Sequence, residues 1–327
     1  MEYNNLVGGP FILLFFSPPF KEIIMSYKIY TDSSSGLPSS IINRYDISVI
    51  PLSVIIDGEV TEVRCHDEEF MKDFYRRLRD KNNMSTSCIN EQTFYEVFKK
   101  ELENKNDVLY IGLSSGLSLT VQNALNASSK LEQEFTSNKV YVVDSLNACL
   151  GEGLLAYTAC LKKVEGLSAK EVYDYLLSVR LNANSLFTVK TLSYLAKGGR
   201  ISKFNMAIGT VVDIKPVMYV NERGKLVASA KVIGRKRSMI AIADNFANTM
   251  INPETQTVFI GHGDSLEDAK TLAKLISERV AVKEFVFNYI DPIIGVHSGP
   301  DTLAVFAYGL SREPQLEVQT NKSLINA

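Results

Sequence analysis

Four short segments gather small hydroxyl side chains and glycine: Asp32–Gly36, Ser85-Thr86-Ser87, Ser114–Thr120 and His297-Ser298-Gly299-Pro300. Hydroxyls and free backbone N–H groups of this kind suit an anion. The ligand end they imply is a carboxylate or a phosphate. Taken singly, each segment reads as helix caps and turns. No Walker A and no G-x-G-x-x-G motif occurs, which disfavours a nucleotide cradle. Gly112-Leu113-Ser114-Ser115-Gly116 matches G-x-S-x-G, the turn that carries the serine of many hydrolases. Asp264 or Asp291, followed by His297, completes the order Ser…Asp…His. A serine-dependent acyl hydrolase using Ser114 and His297 is therefore the alternative to simple anion binding.

His297 lies between a strand-like run and Gly-Pro, with Gly295, Gly299 and Pro300 fixing the backbone around it. Imidazole can hydrogen-bond an acid headgroup in either charge state. His262 is a weaker second candidate and His66 reads as a surface residue. Lys231, Arg235, Lys236 and Arg237 form a short basic cluster, joined by Lys197 and Arg200. It is either a solvated face or a dock for an acidic surface or a phosphate. It is too short to argue for DNA.

These segments need a scaffold that brings them to one edge. Tyr27–Thr31 reads as a strand, followed by a polar turn and a short helix. Ile47–Ile56 is β-rich and makes one long or two short strands. Asp67–Arg79 and Glu91–Leu102 carry apolar residues at helical spacing, and Met84–Asn90 between them reads as a loop. Asp107–Gly112 and Lys139–Val143 are strands, with helices over Thr120–Glu134 and Ala148–Lys163. This alternation predicts a doubly wound, mostly parallel sheet. Ser168, with Glu171 three residues on, predicts a capping box opening a helix to Leu181. The texture then changes. Ser185–Val189 is a strand, and Asp213–Val220 and Lys225–Val232 flank a Gly-containing turn, a hairpin signal. Helices over Arg237–Met250 and Leu266–Arg279 alternate with strands Thr257–Gly261, Phe285–Tyr289 and Leu303–Tyr308. The second half thus mixes parallel and antiparallel pairing. The fold class is α/β with two domains and the ligand between them. An extension covers 1–25, the doubly wound domain 26–182, and a mixed-sheet domain with a polar, peripheral tail 183–327.

Composition narrows the function. The chain has 327 residues, 46% of them apolar, enough for two domains without disulfides or metal staples. Lys and Arg number 35 against 37 Asp and Glu, which argues against a chain-wide basic surface for nucleic acid. Cys65, Cys88, Cys149 and Cys160 form no C-x-x-C pair, and only three histidines exist. No metal site is expected, and sparse cysteine usage fits a reducing, cytoplasmic compartment. The apolar run Phe11–Phe16 is too short to span a membrane and no Lys or Arg precedes it. No integral membrane segment is expected, and Met25 is a candidate second start.

In combination the segments resemble the DegV family of bacterial fatty-acid-binding proteins, from about Lys28 to Gly309. The likeness is carried by Thr31-Asp32-Ser33, Thr86-Ser87, the Ser-Ser-x-Leu-Ser-x-Thr turn at 114–120 and Asp144-Ser145. Leu192-x-x-Leu-x-Lys-Gly-Gly-Arg-Ile201, Lys215-Pro216 and Gly295-x-His-x-Gly-Pro300 complete it. The resemblance implies a two-domain α/β carrier, not an enzyme, with one long-chain fatty acid such as palmitate threaded between the domains. No other cofactor is implied. It places the acid's carboxylate on Thr86 and on Ser118, with Ser115 as the neighbouring candidate and His297 at the same end. The implied partner is a dihydroxyacetone-kinase-like fatty acid kinase, which makes acyl-phosphate for phospholipid synthesis, with Arg200 and Arg235 facing it. The sequence departs from the family pattern at Cys88-Ile89-Asn90, at Leu119, at Ile233 and at Asp301. A tail of ~16 carbons, at ~0.8 kcal/mol per buried CH₂, supplies on the order of 10 kcal/mol before entropic costs.

Overall fold

The computed structural model describes residues 27–63, 67–80, 83–201 and 213–314. The 1–25 extension, His66, Cys65 and most of the polar tail lie outside them. Strands β1 (Tyr27–Asp32), β2 (Ser48–Ile50), β6 (Asp107–Gly112) and β7 (Val140–Asp144) form a fully parallel sheet in the order β2-β1-β6-β7. Parallel sheets survive only with both faces covered, and the side chains alternate accordingly. Ile29, Leu109, Ile111 and Val143 pack one way, against α5 (Leu150–Val164) and α6 (Ala169–Val179). Tyr30, Val108, Tyr110 and Val142 pack the other way, against α3 (Glu91–Glu103) and α4 (Thr120–Glu134). The Ser168–Glu171 capping box at the start of α6 is formed. The helix α1 (Ser39–Tyr45) connects β1 to β2.

The chain leaves β1 toward β2 and β6 toward β7, in opposite directions. A crevice opens where the winding reverses, at the carboxyl ends of the strands. Over that edge lies a three-stranded antiparallel sheet of β3 (Leu52–Ile56), β4 (Glu59–Val63) and β5 (Met84–Ser87), with α2 (Glu68–Arg79) beside it. Two expectations change here. Met84–Ser87 is a strand, not the start of a loop, because its backbone groups pair with Ser53–Ile56. The segment Ile47–Ile56 divides into β2 and β3, which belong to different sheets.

The second half is a six-stranded sheet ordered β10-β9-β8-β13-β11-β12. It is built from β8 (Ala183–Thr188), the hairpin β9 (Ile214–Val220) and β10 (Leu226–Ile233), β11 (Thr257–His262), β12 (Glu284–Tyr289) and β13 (Leu303–Tyr308). Only β11 and β12 pair in parallel. Helices α8 (Arg235–Thr249) and α9 (Leu266–Ser277) cover one face. The other face meets α5, whose small residues let it lie between both sheets: Leu150, Leu154 and Ala156 share one core with Ile29, Phe187, Phe259 and Phe306. Two short helices complete the fold, α7 (Ser193–Lys197) and α10 (Pro292–Ser298). The second replaces the irregular link read around His297. Asp291 opens it by accepting the Ile293 and Ile294 N–H groups. The segment beyond Gly309 also departs from a peripheral tail. Arg312 is buried and donates to four backbone carbonyls, those of Ser145, Leu146, Arg180 and Asn221. Burial lowers its pKa to about 10.

Candidate functional site

A cavity of about 380 Å³ lies in the crevice between the parallel sheet and the six-stranded sheet. The first half lines it with Leu52, Leu113, Leu117 and Cys149, and the second with Phe187, Val220, Leu226, Ile293 and Phe306. Ser185 and Phe187 on β8, Ala304 and Phe306 on β13, and Thr302 just before β13 all face it. This follows from the alternation of a strand, which sends every second side chain to the same face. Most of the lining is apolar. The polar groups are few: Thr86, Ser87, Ser118, Arg200 and His297, with Ser185, Ser298 and Thr302.

Four elements deliver the polar end. Strand β5 carries Thr86, the turn before α4 carries Ser118, α10 carries His297, and the turn after α7 carries Arg200. Thr86 Oγ1 lies 2.8 Å from His297 Nε2. The other ring nitrogen, Nδ1, is buried and has no hydrogen-bond partner among the described residues. Burial, with the nearby Arg200 charge second, lowers the His297 pKa to about 4, so the imidazole is neutral near pH 7. Gly198 permits the close packing, since a Cβ there would lie 2.3 Å from His297 Nδ1. Ser118 Oγ meets Thr120 Oγ1 at 2.9 Å and accepts the Thr120 N–H at 3.2 Å, which fixes the turn at the start of α4. Arg200 Nε donates to Leu117 O at 3.2 Å and Nη1 to Gly198 O at 2.6 Å, tying the turn after α7 to the Ser118 turn. Leu119, 68% exposed, stands at the rim.

Three expected site residues therefore meet at the cavity: Thr86, Ser118 and His297. Ser115 does not reach it. Its side chain is exposed, and its N–H turns back to Asp144 Oδ1 at 3.1 Å. Arg200 lines the cavity rather than only the outer surface. Arg235 does not join it, because its Nε is bound to Asp268 Oδ2 on α9 at 2.8 Å. Ser114 is fully buried and donates to Gly224 O at 2.9 Å. His297 is engaged with Thr86, so the structure forms no Ser114–His297 pair. His262 accepts the Ser265 N–H, and its ring packs against Tyr289 at a tilt of 55°.

Sequence reading passed over a buried acid cluster behind the crevice. Asp32 is fully buried and accepts from Ser34 N and Oγ, Tyr110 OH and Leu113 N, at 2.5–3.2 Å. It thereby holds Leu113, the first residue of the serine-rich turn. Ser34 Oγ also lies 3.0 Å from Glu152 Oε2, while Thr31 donates to Glu152 Oε1 at 2.8 Å. A hydroxyl has one proton to give. With Ser34 donating to Asp32, the second contact requires a proton on Glu152. Burial and the Asp32 charge raise the Glu152 pKa in the same direction. Among the described residues no cluster of three or more His, Cys, Asp or Glu is placed to hold a metal. No helix among them is long and apolar enough to cross a membrane.

The family model described as "Uncharacterised protein, DegV family" matches residues 26–310. A DegV domain-containing protein of Clostridium perfringens is 39% identical over 291 residues, covering 88% of this chain and 99% of the relative. Among solved structures, a DegV lipid binding protein from Thermotoga maritima superposes with a TM-score of 0.77 at 28% identity, covering 88% of this chain and all of that one. A DegV family protein from Thermus thermophilus, solved for its fatty acid binding, gives 0.76 at 28% identity with the same coverage.

Proposed function

The chain belongs to the DegV family, and from that premise we propose that it binds one long-chain fatty acid in the interdomain cavity. The acid's carboxylate lies against Thr86, Ser118 and His297, with Arg200 beside it, and the tail runs along the apolar lining. The observation that carries this reading is the Thr86–His297 contact at 2.8 Å beside an otherwise apolar cavity. A carboxylate only accepts hydrogen bonds. For Thr86 to donate to it, Thr86 Oγ1 must accept from His297 Nε2–H, which leaves Nδ1 as the bare nitrogen. That is the nitrogen with no partner.

In this reading the protein is a carrier and not a catalyst. It offers the carboxylate at the cavity mouth to a fatty acid kinase, which transfers a phosphoryl group to it and so makes the acyl-phosphate for phospholipid synthesis. Arg200 stands on the side the kinase approaches. The two domains divide near residue 182, where the parallel-sheet half hands over to β8. The hydrolase reading has no geometric support, since the Ser114 hydroxyl is committed to Gly224 O.

Mass spectrometry of an organic extract of the denatured protein, purified from a bacterial host, tests the binding. A near-stoichiometric fatty acid is expected. A folded protein that carries none and takes up none when supplied refutes it. The kinase step is tested by acyl-phosphate formation from the loaded protein, fatty acid kinase and ATP.

A further inference from the structure

Arg79, the last residue of α2, reaches from the first half of the chain into two turns of the second. Its Nη1 donates to Asp264 Oδ2 at 2.5 Å and its Nη2 to Asp301 Oδ1 at 3.0 Å. Lys190 Nζ takes the other Asp301 oxygen at 2.8 Å. Asp264 follows β11 and Asp301 lies between α10 and β13. Both sit at positive φ, 58° and 60°, where a side chain is strained and glycine is not. The two turns are themselves joined, Asp301 N to Gly263 O at 2.7 Å and Gly263 N to Thr302 O at 2.8 Å. One guanidinium thus fixes a pair of coupled turns.

Those turns belong to the ligand site. Asp301 lies four residues beyond His297, and Ser298 and Thr302 line the cavity. Helix α2 also packs on α10 through Phe74, Tyr75, Ile293 and Val296, and Tyr75 OH donates to Ile290 O, just before α10, at 2.8 Å. The charged contact is nevertheless open to solvent: the Arg79 side chain is 36% exposed and both aspartates 27%. Salt can therefore screen it.

We propose that Arg79 is a positioning residue for the cavity: through Asp264 and Asp301 it latches α2 to the segment carrying His297, and this salt-sensitive latch sets how fast ligand is exchanged. The inference rests on the fatty-acid reading above. Arg79 joins the first half of the chain to turns of the second, so any parting of the two halves that widens the crevice between them would break these ion contacts.

Stopped-flow displacement of cis-parinaric acid, a fluorescent fatty acid, by excess palmitate tests it at about 0.01 M and about 1 M salt, where screening lengths are ~30 and ~3 Å. The variants are Arg79→Met and Asp301→Gly, the second placing glycine at a φ that suits it. The wild-type protein is expected to release the probe about five-fold faster at high salt, the scale of a partly exposed ion-pair network. Arg79→Met should release it about five-fold faster at low salt and lose the salt response, while Asp301→Gly, which keeps the Arg79–Asp264 contact, should release it faster and keep only part of the response. Variants that keep the wild-type rate and salt dependence overturn the latch, as does an Arg79→Met variant that releases faster yet responds to salt as the wild type does. Tight probe binding with unaltered kinetics removes the latch alone. A wild-type protein that takes up no probe removes the fatty-acid reading and the latch with it.

Discussion

Replacing Thr86 with valine separates headgroup recognition from tail burial. Valine matches threonine in shape and suits a strand, so β5 keeps its pairing with β3, Val54 opposite residue 86. What is lost is one hydroxyl, 2.8 Å from His297 Nε2. In the proposed bound state that hydroxyl donates to a carboxylate, and hydrogen bonds to charged groups contribute about 1.5–3 kcal/mol. Affinity should therefore fall about 10- to 150-fold. The tail term, ~0.8 kcal/mol per CH₂, is untouched. The fold-loss should thus be the same for acids of different chain length, and markedly smaller for a fatty acid methyl ester, which carries no charge. Isothermal titration with a series of acids and one ester reads all three quantities. A loss that grows with chain length, or one equal for acid and ester, would refute the assignment of Thr86 to the carboxylate.

Through its histidines the protein should lose stability in acid. The His297 and His262 pKa values are lowered from 6.5 to about 4 by burial, so between those values these two groups bind more protons in the unfolded chain than in the folded one. Glu152, whose pKa burial raises, acts in the opposite sense, so the histidine contribution is read against a His262→Asn variant, which should lose less stability than the wild type as pH drops from 6.5 toward 4; a difference in melting temperature that is flat across that window contradicts this sign. Glu152→Gln should cost less than about 1 kcal/mol, because a neutral amide reproduces the protonated carboxyl's bonds to Ser34 and Thr31. Asp32→Asn, facing only donors, should cost about 1–3 kcal/mol or more; chemical denaturation that ranks the two the other way refutes the proton placement. Gly198→Ala should push His297 aside, given a Cβ 2.3 Å from Nδ1, and weaken fatty-acid binding by about 1–3 kcal/mol. Titration showing wild-type affinity would mean His297 is not needed in its present place.

The sequence reveals the elements with many apolar positions. Asp107–Gly112 and Thr120–Glu134 coincide with β6 and α4, the first a continuous apolar run buried on both faces, the second a helix whose apolar positions recur on one face. It does not reveal β4, where four of five residues are exposed and no buried stripe exists. Nor does it reveal β5, four residues long and mostly polar, since its reason for being a strand is Ser53–Ile56 in another element. Helix α10 escapes for a similar reason. Seven residues containing two isoleucines, a valine and a glycine give no helical period, and its cap and its packing partners supply the rest. At the site, residue type pointed to four hydroxyl- and glycine-rich segments and to His297, and the family resemblance singled out Thr86 and Ser118. Type alone could not separate Ser118 from the exposed Ser115, because turn geometry decides which hydroxyl faces inward. Arg312 illustrates the reverse error: a lone arginine in a polar stretch reads as surface, yet backbone carbonyls from distant segments surround it.

Helix α10 has a consequence for how the molecule can be taken apart. Its chain neighbours β12 and β13 lie in the six-stranded sheet, but Ile293 and Val296 belong to the core of the first half, among Phe74, Tyr75 and Phe94. A fragment ending near residue 182 would carry a hydrophobic slot where those side chains belong, and would aggregate or collapse. The complementary fragment would expose the helix. Thermal denaturation should accordingly show one transition rather than two. The Thr86–His297 pair, one member on β5 and the other on α10, comes into register only after both halves have docked, so assembly of the cavity's polar end is among the last events of folding.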